Sequence, residues 1–327
     1  MRGLLSVEEV VARINAKERV VVAGEEALLR RLPKGDWVGG TIPYFVGVDG
    51  GMMSKDKLFV SSLPSEVVSF VTRFYDESEL GVLLADEPQH GFSYLIIPAF
   101  TAFHKTFAKT ISSFPGVYDR PLMGWVAGVE LDKIGMRRPK VVDGRTGQWS
   151  SNHGLCLHAE LRKDVVAEIG IVNPFTQGTG DVITVDRTAF HARKAFVNGT
   201  AVNFAEYLTA HRLDQRLPLV ANYSGAMINV SIKSVDLEAK RVDFYAPLFP
   251  DVEYRLAAAI DDYEAVFARD IAKIHGDPTL SVNCILNYAY GCLKGHVMGE
   301  FIGPITFGEI AYGLLNQTLV YMILRKA

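Results

Sequence analysis

The sequence predicts an α+β protein of mainly antiparallel sheets with helices packed on their outer faces. Three observations carry this expectation. Apolar segments of strand length outnumber those of helical length. Many of them alternate apolar and polar residues, the pattern of a sheet with one face covered. A glycine-punctuated strand also recurs three times, around Gly39-Gly40, Gly124 and Gly303, which points to internal duplication. The chain has 327 residues, 49% hydrophobic and 22% charged, enough for a sizeable core and too apolar for disorder.

The elements follow in order. Ser6-Val7-Glu8-Glu9 is a capping box, a hydroxyl with a carboxylate three residues on, and opens a helix to about residue 16. Residues 20–23 form a short apolar strand, and 25–32 a helix stopped by Pro33. Residues 36–48 are rich in β-branched and aromatic side chains, and 57–63 read as a further strand. A strand at 93–99, a helix at 101–114 with Phe103, Phe107 and Ile111 on one stripe, and a strand at 121–131 repeat that order. Asp143-Gly144 marks a hairpin turn, and 152–161 is expected to pair with 165–172 through residues 162–164. Residues 181–189 are strand-like, 195–199 a turn, and 204–212 a helix. Residues 227–233 and 241–246 form a hairpin, and 254–260 are apolar. The third repeat has a helix at 261–275, a strand at 279–286, and strands at 300–306 and 316–324 flanking Gly308.

Composition excludes several function classes. The net charge of −3 gives no basic surplus for nucleic acid, and the cluster Met136-Arg137-Arg138-Pro139-Lys140 reads as a solvated turn. Residues 1–15 lack an apolar leader, and no window reaches the roughly 18 apolar residues of a spanning helix, so a cytoplasmic protein without membrane association is expected. Cys156, Cys284 and Cys292 form neither a CxxC nor a plausible disulfide framework. No P-loop, GxSxG elbow or HExxH occurs. His153, Cys156 and His158 do not make a metal triad, because on a strand His153 faces away from the other two. No metal and no cofactor are expected.

Polar residues beside glycine supply the site candidates. Glu309 follows Gly308, where the backbone can come close to a ligand. Thr306, Asn316, Gln317 and Thr318 lie near it in sequence and need partners if buried. Glu25-Glu26, Asp86-Glu87 and Asp261-Asp262 read as helix caps or solvated carboxylates, since adjacent residues do not share a face. Cys284 as a nucleophile would require a histidine base within reach.

The ordered motifs resemble the FIST family, an intracellular signal-transduction sensory domain with N- and C-terminal halves. The C-terminal likeness rests on Cys284 in its apolar strand, the run Phe301-Ile302-Gly303-Pro304-Ile305-Thr306-Phe307-Gly308-Glu309-Ile310, and Asn316-Gln317-Thr318-Leu319-Val320. The N-terminal likeness rests on Val38-Gly39-Gly40-Thr41, residues 121–128, Val142-Asp143-Gly144 and Asn173-Pro174. Family members carry an arginine three residues after the strand cysteine; here Asn287 stands there, so an anion held by that arginine is not expected. The resemblance implies halves at 1–192 and 193–327 and a stand-alone sensory protein. Its ligand would be an amino acid or similar small polar molecule, with a signalling protein as further partner. Pockets favour the join between such halves, and Thr41, Tyr44, Trp125, Thr306 and Glu309 are expected to bind the ligand, with no catalytic residue assigned. The alternatives are a haem-binding gas sensor, an enzyme using Glu309 or Cys284, and a structural interaction subunit.

Overall fold

The computed structural model describes residues 1–223, 225–290 and 293–327, so Cys292 lies outside the described residues. The fold is α+β, with several mostly antiparallel sheets. Two compact bodies form: Met1–Val172 with Ile271–Leu314 and Leu319–Ala327, and Asn173–Asp270 with Leu315–Thr318. The expected halves are a division of the sequence at residue 192; the compact bodies divide after Val172, Asp270, Leu314 and Thr318.

In the larger body the three glycine-marked segments take one form: a strand, a helix, and a second strand parallel to the first. Val20–Gly24 pairs in parallel with Trp37–Thr41, Gly91–Pro98 with Leu122–Ala127, and Leu280–Cys284 with Gly303–Thr306. The helices between them are Glu26–Leu29, Ala102–Thr110 and Ile285–Ala289. The recurring glycine has one physical reason. A Cβ at Gly39, Gly124 or Gly303 would lie 2.5, 1.8 or 2.0 Å from the carbonyl oxygen of Val22, Leu95 or Ser281, each on the first strand of its own motif. Only a residue without a side chain permits that approach.

Two sheets of this body stack. Helices Val7–Asn15 and Glu26–Leu29 cover Val20, Val22, Trp37, Leu58, Val60 and Val142 on the outer face of one. Helices Leu80–Ala85 and Ala102–Thr110 cover Leu95, Ile97, Leu122, Val126, Cys156 and Ile310 on the outer face of the other. Between them Gly40 meets Ile96, Trp125 and Ala127. The capping box forms as expected: Glu9 N donates to Ser6 Oγ at 3.2 Å and Ser6 N to Glu9 Oε2 at 2.8 Å.

Some expectations are corrected. Gly154–Leu161 does not pair with Val165–Val172. It is flanked by Val67–Tyr75 and Gly91–Pro98, while Val165–Val172 pairs with Leu319–Lys326. Arg162-Lys163-Asp164 contains no glycine and so cannot form the Asn-Gly or Asp-Gly turn of a tight hairpin, and it serves as a corner between sheets. The helix expected at 25–32 covers only Glu26–Leu29. Lys194–Val197 is a strand, paired with Thr200–Asn203, and the turn is confined to Asn198 and Gly199 at φ 48° and 82°. The nine-residue strand Val67–Tyr75 and the helix Leu80–Ala85 were not expected.

Among the described residues the smaller body holds two sheets, one of six short strands and one of three. Its polar core answers for the Asn316-Gln317 run. Ser231 N donates to Asn316 Oδ1 at 2.9 Å, Ser231 Oγ donates to Gln317 Oε1 at 2.5 Å, and Asn229 Nδ2 donates to Asn316 O at 3.2 Å.

Candidate functional site

The carboxyl ends of the three parallel motifs meet in the larger body. Thr41 ends the second strand of the first motif. Its hydroxyl donates to Gly128 O at 2.8 Å and accepts from Lys140 N at 3.0 Å, and Gly128 N donates to Thr41 O at 2.8 Å. Gly128 follows the second strand of the second motif. Phe307 follows that of the third; its N donates to Val126 O at 3.0 Å, and its ring fills the space that a side chain at Gly128 would need.

A cleft of about 570 Å³ opens at the first two of these ends, where open α/β sheets place their ligands. Its floor is Thr41, Ile42, Pro43, Gly128 and Val129, and its charged walls are Glu25, Glu26 and Arg30 on one side and Arg137, Arg138 and Lys140 on the other. The two acids differ. Glu26 is held by Lys140 Nζ at 2.6 Å and by Arg30 at 2.6 Å. Burial pushes its carboxyl up, but those hydrogen bonds outweigh it and leave it below the ordinary value. Among the described residues Glu25 pairs only with Arg137, at 3.5 Å, although its side chain is just 16% exposed. Burial raises its carboxyl above the ordinary range, and Arg137 offsets this only in part. Arg138 is exposed and has no partner among the described residues. The cleft thus holds four cations against two carboxylates, with Glu25 and Arg137 loosely engaged.

A family model matches residues 5–325. The chain belongs to DUF6976, a family of unknown function. No curated protein and no solved structure matches it.

Of the residues expected to bind ligand, this DUF6976 chain brings Thr41 into the cleft, as a floor residue that ties three segments together. Tyr44 lies outside the lining; its hydroxyl accepts from Leu131 N at 3.1 Å and so fastens the segment whose Glu130 pairs with Lys55 at 2.6 Å. Trp125 and Glu309 are cross-strand partners, both fully buried, with the indole against Gly40. Thr306 is fully buried and donates to Asn283 O at 3.2 Å and Gly308 O at 2.9 Å. Cys284 is its strand partner and is 1% exposed. Asn287 donates to Asn283 Oδ1 at 2.8 Å within the third motif.

Sequence reasoning passed over Glu25, Glu26, Arg137, Arg138 and Lys140 as caps and a solvated turn. The available signal was position: Gly24-Glu25-Glu26 directly follows a strand that a helix returns in parallel. A second constellation was also missed. Ser93 Oγ lies 2.8 Å from His158 Nδ1, His158 Nε2 lies 2.8 Å from Tyr75 Oη, and Tyr75 donates to Asp86 Oδ2 at 2.7 Å. Because Tyr75 gives its proton to a carboxylate, it accepts from His158 Nε2, and Nδ1 accepts from Ser93. The order imitates an activated serine, yet Ser93 is 0% exposed, so the chain braces the strands Val67–Tyr75, Gly91–Pro98 and Gly154–Leu161.

Proposed function

We propose that this chain is a sensory protein that binds a small polar ligand, an amino acid by class, in the cleft above Thr41. The observation that carries the reading is the loosely paired Glu25 and Arg137, beside Arg138, in a polar cleft at the carboxyl ends of parallel strands. An α-ammonium group suits Glu25, and a carboxylate suits the guanidinium forks of Arg137 and Arg138. Four cations against two acids favour an acidic side chain on that ligand. Thr41 and the Lys140–Glu26 pair hold the walls in place beforehand, which lowers the ordering cost of binding. The signalling role and a protein partner rest on the FIST resemblance and belong to the same proposal. An enzyme acting through Cys284 or Glu309 would need either side chain to reach a substrate, and both are buried.

Thermal unfolding with glutamate, aspartate and leucine tests the reading. Saturating glutamate or aspartate is expected to raise Tm by several degrees, about 2–3 kcal/mol at a hundredfold excess over Kd. Arg137→Gln with Arg138→Gln, both at exposed positions, is expected to abolish the shift; because Glu25 loses its partner the ligand-free Tm is expected to fall slightly, and the shift is read against the variant's own ligand-free Tm. An unchanged Tm across the panel, or a shift retained in the double variant, contradicts it.

A further inference from the structure

The smaller body carries a second charged cavity, of about 230 Å³. It forms where the chain leaves the strand Ile183–Thr184, runs through Asp186 and Arg187 into the strand Ala189–Ala192, and turns at Arg193 into Lys194–Val197. Val185, Ala192 and Leu248 make a buried apolar base. The polar lining is Asp186, Arg187, His191, Arg193 and Lys194.

Its charges do not cancel. Asp186 is the single acid of the lining and stands 3.6 Å from Lys194, whose ammonium also rests on the Phe196 ring at 4.3 Å. Among the described residues Arg193 is anchored by one edge only: Nε donates to Ala239 O at 3.2 Å, which leaves its two terminal amino groups for another acceptor. Arg187 is exposed and has no partner among the described residues. Two guanidinium forks and an imidazole therefore share one small cavity with a single carboxylate that is already opposed by Lys194. A buried counter-charge is not needed to hold them, since the rim is solvated, and together they suit an oxyanion, most favourably one that carries more than one negative charge.

We infer that this cavity binds a phosphate group, as inorganic phosphate or as a phosphate monoester whose first carbons rest on the apolar base. The inference is independent of the amino-acid cleft in the larger body, and either can fail alone.

Titration calorimetry of the full chain in chloride buffer, with inorganic phosphate and separately with glycerol 3-phosphate, tests it. One equivalent is expected to bind saturably. Arg187→Gln with Arg193→Gln is expected to weaken binding by about tenfold or more, with an unchanged circular dichroism spectrum. Should that pair disturb the turn, Arg187→Gln alone, at an exposed position, is expected to give a smaller loss of the same kind. Arg137→Gln with Arg138→Gln is expected to bind phosphate within about twofold of the wild type, as two distinct sites require. Tighter binding of the ester identifies a phosphomonoester, and equal binding identifies free phosphate; both support the site. No saturable heat with either probe overturns it, as does wild-type binding by the 187/193 variant, or loss confined to the 137/138 variant.

Discussion

Glu87 is a carboxyl only 5% exposed, and burial pushes it up to about 8, with Arg120 offsetting only part of the effect. His158 and His104 move the other way: burial lowers each to about 4. These shifts set the sign of the pH dependence. Between about pH 4.5 and 8 the folded protein holds a proton on Glu87 that the unfolded chain has lost, so stability falls as pH rises, by at most about 1.4 kcal/mol per unit. Between about pH 4 and 6.5 the unfolded chain protonates both histidines while the folded protein does not, so stability is lost as pH falls. The two histidines outweigh Glu87 below pH 6.5, and Glu87 acts without them above it. Urea unfolding across pH 5–9 is expected to show a maximum near pH 6.5, and Glu87→Gln is expected to flatten the alkaline limb. A wild-type curve that keeps rising to pH 8 would refute the assignment. None of this was legible in Asp86-Glu87 as a sequence pair, because the burial of Glu87 comes from residues far along the chain. The Cys156–His158 relation was legible in part: strand alternation puts both on one face, and Sγ lies 3.9 Å from Nδ1.

At the scale of elements, glycine was the most readable signal. Gly39, Gly124 and Gly303 marked a repeated strand, and each proves to be the close-approach point of a parallel strand–helix–strand motif. That the two strands run parallel was not legible, because short apolar runs carry no pairing information. Gly124→Ala places a carbon 1.8 Å from Leu95 O and is expected to cost about 3 kcal/mol or more in chemical unfolding. A loss under about 1 kcal/mol would mean that the strands can part locally. Thr41→Val removes a hydroxyl that donates to Gly128 O in a buried place and accepts from Lys140 N in a half-buried one. It is expected to cost about 2–3 kcal/mol and to weaken amino-acid binding by loosening the cleft walls, with the Arg137 side chain untouched. Unchanged stability in that variant would show that backbone pairing alone holds the junction. The strand Val67–Tyr75 escaped notice although its composition is strongly β-forming. Arg19 and Arg145 donate to its carbonyls at Val67 and Phe70, at 2.7 and 3.1 Å, which closes part of a sheet edge to further strands.

At the scale of the whole molecule, the α+β class follows from strand excess and alternation, while the pairing of distant segments does not. Val165–Val172 finds its partner some 150 residues on, in Leu319–Lys326, and no local pattern names that partner. Separation in sequence hides the cleft as well: its walls come from residues 25–30 and 136–140, which meet through the Glu26–Lys140 and Glu25–Arg137 pairs and through Thr41 and Gly128. Among the described residues no helix is long and apolar enough to cross a membrane. The most direct measurement is hydrogen exchange of the full chain with and without saturating glutamate. Slowed exchange confined to residues 24–30, 41–43, 128–129 and 136–140 is the predicted result. Protection absent from those four segments, or concentrated around Glu309 and Trp125, would contradict the account.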